Sequence, residues 1–447
     1  TAALISRPLG ELIRITAQDV HAPFYYILLK GFYTLCGGGT HFWSLKLFSL
    51  LFMAAYLFLG KYGVKKIFDE KTAVYFMLFS LLMPSMCVQA GNARMYAMGL
   101  FFFTATGLLA WGILQESTGK KWILFCLCSV GSVYSHTFTM LQTFILYLIL
   151  LGALLWRKKY ALIKWYLGSG LAVAACYTVW LSVIYRQMQT RISSAGGNEE
   201  QFIPNMYTLM DYCKEWFSAM DTPITLVIYL GMALTLFLGY YAVDSMRDSG
   251  CYVPAWGMAI LGLTALAGGL LSYYVTPCFL GRYIFCGFGA LALWYAVGMK
   301  RIASRGIKTA VMLAFLLCFV LQYRSELGLE YDKGLQEYQR FYEDNVQADD
   351  LIMATDIHTL YLNIYHPERQ YMAYGYLPPF SPFRNTTVFT EWEQLADVTG
   401  TIWLYAFADR DLPGFGPYYN CEPAFQFHYM YYDFVIYRLV PADKNQI

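Results

Sequence analysis

Apolar residues run in blocks too long for ordinary strands and too uniform for half-buried helices. Blocks near 43–60, 72–88, 95–115, 138–156, 163–185, 223–243, 252–274, 280–299 and 305–323 each approach the length that crosses a membrane. A hydrocarbon core about 30 Å thick takes roughly 17–25 such residues as a helix. A shorter run, 121–135, is expected to span as well, for about ten helices in all. Residues 1–42 read differently. SRPLGELIRITAQ is amphipathic, and APFYYILLKGFYTLC stops early at Gly37-Gly38-Gly39. Its Tyr and Lys content suits the headgroup level, so the pattern predicts interfacial helices there.

From 324 onward the pattern changes again. LGLEYDKGLQEYQRFYEDNVQADD is charged and helix-like, and LIMAT, QYMAY, GTIWLYAF, FQFHYMYY and DFVIYRLV follow. Aromatic and β-branched residues separated by turn residues predict strands. The expected fold is a multi-pass α-helical membrane protein with a small C-terminal α/β domain. Its expected divisions are juxtamembrane helices in 1–42, a transmembrane domain in 43–323 and an extracytoplasmic domain in 324–447.

Composition agrees with a lipid solvent: 58% of the 447 residues are hydrophobic and 14% charged. A soluble chain has nearer a quarter charged. The net charge of +2 argues against a nucleic-acid-binding surface. Cys87, Cys126, Cys128, Cys176, Cys286 and Cys318 lie in apolar runs, where cysteine acts as a small hydrophobe. No CxxC pair or Cys/His spacing suggests a disulfide framework or a zinc site. The chain opens on Thr1, and LISRPLGELI has no basic segment leading into an apolar core. It is not a signal peptide, and an N-terminal piece is expected to precede it.

Charge also orients the spans. With ten helices, fifteen basic residues fall on one side: Lys61, Lys65, Lys66, Lys71, Lys120, Lys121, Arg157, Lys158, Lys159, Lys164, Arg247, Lys300, Arg301, Arg305 and Lys308. Arg94, Arg186, Arg191, Lys214 and Arg282 fall on the other. Basic loops stay cytoplasmic, so 89–94, 186–222, 275–282 and the C-terminal domain are expected outside.

Four outer places carry chemistry: Asp19 and His21 in QDVHAPFYY, Arg94 and Tyr96 in GNARMYA, Tyr134 and His136 in VYSHTF, and Arg282 and Tyr283 in FLGRYIF. Ionisable groups at membrane depth are costly and mark cavities. A carboxylate, two arginines and two histidines facing one cleft could bind an anionic headgroup and activate a hydroxyl. Each also has a plainer reading. The arginines could snorkel to headgroups, Asp19 and His136 could end helices, and His21 could sit at the interface. Asn385-Thr386-Thr387 matches a glycosylation sequon, a triplet frequent by chance.

QDVHAPFYYILLK resembles the D-x-H-P-P-L-Y-Y segment of GT-C glycosyltransferases of the family 39 type. This group includes protein O-mannosyltransferases and aminoarabinose transferases. GNARMYAMGLF resembles their E-A-R-M-Y-A-L segment, VYSHTFTML their Y-T-H-Y segment, and P-x-F-L-G-R-Y-I their late R-Y segment. The resemblance covers nearly the whole chain in order. Two departures stand out. The family's first helix and outer Asp-Glu pair would precede Thr1, and Asn92 and Ala22 replace a family Glu and Pro.

The resemblance implies a polyprenyl-phosphate sugar donor and a lipid, glycan or protein acceptor. Transfer would take place on the outer face of a bacterial plasma membrane, with inversion. It makes Arg94 and Arg282 the candidates for the donor phosphate, with His21 near it. It gives the base to the Asp expected upstream of Thr1, with Asp19 assisting or orienting; within this chain Asp19 is the catalytic candidate, and Tyr25 and Tyr96 line the sugar or lipid path. His136 and Tyr283 complete the substrate-binding set. No cofactor is required, although a divalent cation could bind through Asp19. The rival readings are a transporter or flippase of a lipid-linked saccharide, and a non-catalytic binder. Against the transporter, the polar groups gather at one face and no interrupted helix pair suggests a repeat.

Overall fold

Apolar helices account for most of the first 326 residues, because a helix satisfies its own backbone where no water can. The computed structural model describes residues 1–18, 22–38, 43–194, 206–218, 223–275, 278–327, 331–355, 362, 365–366, 368–374, 386–391, 395, 400–409, 412, 419–429 and 432–441. Two compact units result. One is Thr1 with Leu9–Glu326, the other Ala2–Pro8 with Leu327–Ile447.

Among the described residues of the first unit, eight helices are long and apolar enough to span. They are Trp43–Ile67, Tyr96–Gln115, Thr137–Trp156, Tyr160–Gln187, Thr225–Ser249, Val253–Tyr274, Gly281–Arg301 and Arg305–Ser325. A ninth is bent by 68° where Glu70–Leu82 meets Pro84–Gly91. The bend has a local cause. Pro84 supplies no N–H and begins the second helix at its first position. The sequence pattern did not show this break. Among the described residues it is a single broken span, where a transporter repeat would give two. The expected tenth span forms the helix Gly119–Val133, only 15 residues long. At 1.5 Å per residue it covers about 22 Å, short of a full crossing. It still returns the chain to the end it left. Tyr96 before it and His136 after it have ring centroids 5.9 Å apart.

Burial ranks the helices. Within the spanning window, 78% of Gly281–Arg301 and 72% of Tyr96–Gln115 is buried, against 22% of Arg305–Ser325. The first two form the centre and the last faces lipid. Lysines finish helix ends at the far side from Tyr96. Lys121 Nζ donates to Gly112 O at 3.2 Å, and Lys159 Nζ to Leu114 O at 2.7 Å. Leu114 O is a carbonyl that the end of the helix Tyr96–Gln115 leaves to such donors, while Gly112 O also accepts from Glu116 N at 3.0 Å. The segments before the first span are short helices, Leu9–Gln18 and Phe24–Leu35.

In the second unit, the helix Tyr331–Asn345 covers a six-stranded sheet. The strands are β1 (Leu351–Ala354), β2 (Tyr371–Tyr374), β3 (Thr386–Phe389), β4 (Ile402–Phe407), β5 (Tyr419–Tyr429) and β6 (Tyr432–Pro441), in the order β3-β2-β1-β4-β6-β5. β1 to β4 run parallel, and β6 is antiparallel to both its neighbours. Side chains alternate between two cores, as a pleated strand requires. Trp403, Tyr405 and Phe407 join Tyr338 and Ile352 on one face. Ile402 and Leu404 join Met353 and Leu439 on the other. Two departures from the sequence pattern appear. FQFHYMYY is divided between β5 and β6, and TTVF forms a strand that its polar start concealed.

Candidate functional site

The turn at Asn92–Met95 links the bent ninth helix to Tyr96–Gln115, and Arg94 projects from it, exposed. Its carbonyl is tied back: Ser49 Oγ donates to Arg94 O at 3.5 Å and lies 3.1 Å from Tyr25 Oη. Tyr25 itself is fully buried against Tyr26 and Phe48. Burial pushes its phenol up, against the pull of the Ser49 hydrogen bond and the Arg94 charge. Tyr25 thus braces the Arg94 turn from behind.

Arg282 arrives from a different element. The span Gly281–Arg301 opens as a tight three-residue-per-turn helix over Gly281–Gly287 before widening at Phe288. Such a stretch leaves backbone groups to be satisfied by neighbours. Gln142 does so from inside the bundle, donating Nε2 to Ile284 O at 3.0 Å. The guanidinium of Arg282 lies 6.0 Å from the Tyr283 ring centroid. The Tyr96 phenol is buried, 4% exposed, with its ring 6.3 Å from that of Phe285 in the same opening turns.

His136 lies between Tyr96 and Tyr283, its ring centroid 5.9 Å from that of Tyr96 and 4.7 Å from that of Tyr283. It caps the helix Thr137–Trp156, with Nδ1 accepting from Phe138 N at 3.2 Å. An accepting Nδ1 puts the neutral ring's proton on Nε2. The capping role is the plainer reading of this residue, and the ring also packs between Tyr96 and Tyr283. Tyr134 stands apart from it, donating to Cys176 O at 2.6 Å.

The remaining expected residues, Asp19 and His21, lie outside the described residues, as does Asn385. Among the described residues, no group of three or more His, Cys, Asp or Glu is placed to hold a metal ion.

Sequence reasoning missed one group altogether. On the helix Met206–Phe217, three side chains grip the segment that leads into Arg282. Tyr212 Oη donates to Phe279 O at 3.3 Å and Trp216 Nε1 to Gly281 O at 3.0 Å. Glu215 Oε2 accepts from the Arg282 backbone N–H at 2.5 Å. Burial and the neighbouring Glu215 push the Tyr212 phenol up to about 12, so it keeps its proton to donate. The spacing of these residues on one helical face was visible; their partners, some 67 residues away, were not.

Below Trp216 a cavity of about 350 Å³ opens among Phe217, Met232, Leu261 and Phe288. A second of about 500 Å³ shares Thr235, Leu236 and Met258 with it and reaches Asp244 and Arg247. Together they form a groove, largely apolar at its Trp216 end, along the helices Thr225–Ser249 and Val253–Tyr274.

No protein-family model and no curated protein matches the chain. Among solved structures, it is similar to ArnT from Cupriavidus metallidurans in the apo state. The TM-score is 0.62 at 10% identity, over 94% of this chain and 87% of that one. The fold is thus GT-C-like: a multi-pass helical membrane protein with a C-terminal α/β domain.

Proposed function

We propose that this chain is a membrane glycosyltransferase that moves a sugar from a polyprenyl-phosphate donor to an acceptor outside the cytoplasm. The observation that carries the reading is the cluster of Tyr96, His136 and Tyr283 rings with the Arg282 guanidinium 6.0 Å from the Tyr283 ring, next to an apolar groove. Fixed cations suit a phosphate, and the groove suits an isoprenoid chain entering from lipid. The fold shared with ArnT, an aminoarabinose transferase of the GT-C family, supports the same chemistry.

In the proposed reaction an acceptor hydroxyl oxygen attacks the anomeric carbon as the bond to the phosphate oxygen breaks. The leaving phosphate takes the electron pair, and Arg94 and Arg282 stabilise its growing charge. The hydroxyl proton passes to a carboxylate, with Asp19 as the base in this chain. His21, Tyr96, His136 and Tyr283 line the donor, and Tyr25 supports the Arg94 turn. Attack opposite the leaving group inverts the anomeric centre. The reaction itself calls for no metal, although Asp19 could take a divalent cation.

Free polyprenyl phosphate is the product whatever the sugar and acceptor. The test presents the purified full-length protein in liposomes with a panel of polyprenyl-phosphate sugars and membrane-extract acceptors. Acceptor-dependent release of polyprenyl phosphate is expected. Movement of intact donor between leaflets without any release would replace this reading with a transporter.

A further inference from the structure

The helix Met206–Phe217 lies between two spans, and its sequence, MYTLMDYCKEWF, carries none of the motifs that marked the site. Three of its side chains nevertheless hold the segment Phe279–Arg282. Tyr212, Glu215 and Trp216, one helical turn apart, hold the carbonyls of Phe279 and Gly281 and the N–H of Arg282. Two of these bonds are neutral and replaceable. The third is a carboxylate on an amide at 2.5 Å, the stronger kind. Gly281 shows how close the approach is. A Cβ there would meet the Glu215 carboxylate and come within 3.2 Å of Tyr212 Cα. The chain at 281 is glycine where the helix presses against it.

Gly281–Gly287 is a tight helix type over seven residues, and its first N–H groups, that of Arg282 among them, have no intrahelical acceptor. The position of Arg282 therefore depends on what holds that N–H. We propose that Glu215 is a positioning residue: it fixes the backbone at Arg282 so that the guanidinium meets the donor phosphate beside Tyr96. This deepens the transferase reading and rests on it. Glu215 does not contact the reacting atoms in this role. It acts through Arg282.

The role separates from a merely structural one by a double-mutant cycle. Undecaprenyl phosphate binding and transfer are measured on the full-length protein for wild type, Glu215→Ala, Glu215→Gln, Arg282→Ala and the double variant Glu215→Ala/Arg282→Ala. Loss of the charged acceptor should weaken binding about 10-fold in Glu215→Ala. Glu215→Gln keeps an oxygen in place and should lose only about 3-fold. In the Arg282→Ala background, Glu215→Ala should cost nothing further, because the group it positions is gone. Amide hydrogen exchange over 279–287 should quicken in Glu215→Ala whether or not ligand is present.

Unchanged exchange in Glu215→Ala overturns the clamp. So does faster exchange with wild-type binding and turnover, or losses that simply add in the double variant. A wild-type protein that neither binds undecaprenyl phosphate nor transfers sugar fails at the transferase reading, and the positioning role falls with it. The two failures are told apart by the wild-type measurement alone.

Discussion

Arg282 is anchored through its main chain, and its proposed role runs through its side chain. Its backbone N–H is bonded to Glu215, while its guanidinium stays at the partly open end of the bundle. In the proposed reaction, removing that guanidinium takes away one charge-assisted contact to the leaving phosphate. Arg282→Ala should therefore lose roughly 2–4 kcal/mol of transition-state stabilisation, about 30- to 1000-fold in kcat/KM. Arg282→Lys should recover part of this, since an ammonium lacks the planar pair of donors. Asp19→Asn keeps size but not basicity, so it should lower kcat more than it raises KM. Equal transfer by all three variants and wild type would remove both residues from the mechanism. The motif around Arg282 was legible as FLGRYIF because arginine beside an apolar run is rare and costly. Glu215 was not legible, because a carboxylate in a polar loop is the ordinary case.

The span Gly281–Arg301 is the element on which the bundle turns, and close approach is what lets it sit at the centre. Gly298 lies against the main-chain carbonyl of Leu238, which a Cβ would strike. A carbonyl within a helix cannot swing away as a side-chain tip can. Gly298→Ala should thus separate this span from Thr225–Ser249 and cost about 1–3 kcal/mol. Thermal unfolding in detergent should show a lower Tm. Gly262 on the neighbouring helix meets nothing within 4 Å, so Gly262→Ala is its control and should leave Tm unchanged or slightly raised. A wild-type Tm for Gly298→Ala would show that these helices pack less tightly than the geometry says. The apolar run predicted this helix. Its tight first seven residues, and the Gln142 side chain that satisfies them, depended on a partner 142 positions away.

At the scale of the whole molecule, the basic residues predict which way the protein faces. Lys120, Lys121, Arg157, Lys158 and Lys159 cluster at the end of the bundle away from Tyr96, and some of them close helix ends there. That end should be cytoplasmic, with the arginine site and residues 324–447 outside. A Cys placed at Ser117 should resist membrane-impermeant thiol reagents in intact cells, after background labelling is removed. A reporter fused after Ile447 should be active only outside the cytoplasm. Labelling at Ser117 together with cytoplasmic reporter activity would reverse the orientation.

The sequence by itself determined that the chain belongs in a membrane, where most spans begin and end, and that an α/β domain follows them. Those features are written in runs of neighbouring residues, and burial in lipid depends on the run itself. Tertiary structure alone decided that Gly119–Val133 returns on 15 residues, that TTVF joins the sheet as β3, and that Glu215 reaches Arg282. Each of these depends on a surface supplied by another part of the chain. A short helix is sheltered by its neighbours, a polar strand is accepted because β2 pairs with it, and a carboxylate acquires a role from the amide it bonds. Pairings of that kind have no local signature, because the free energy that selects them arises only when distant segments meet.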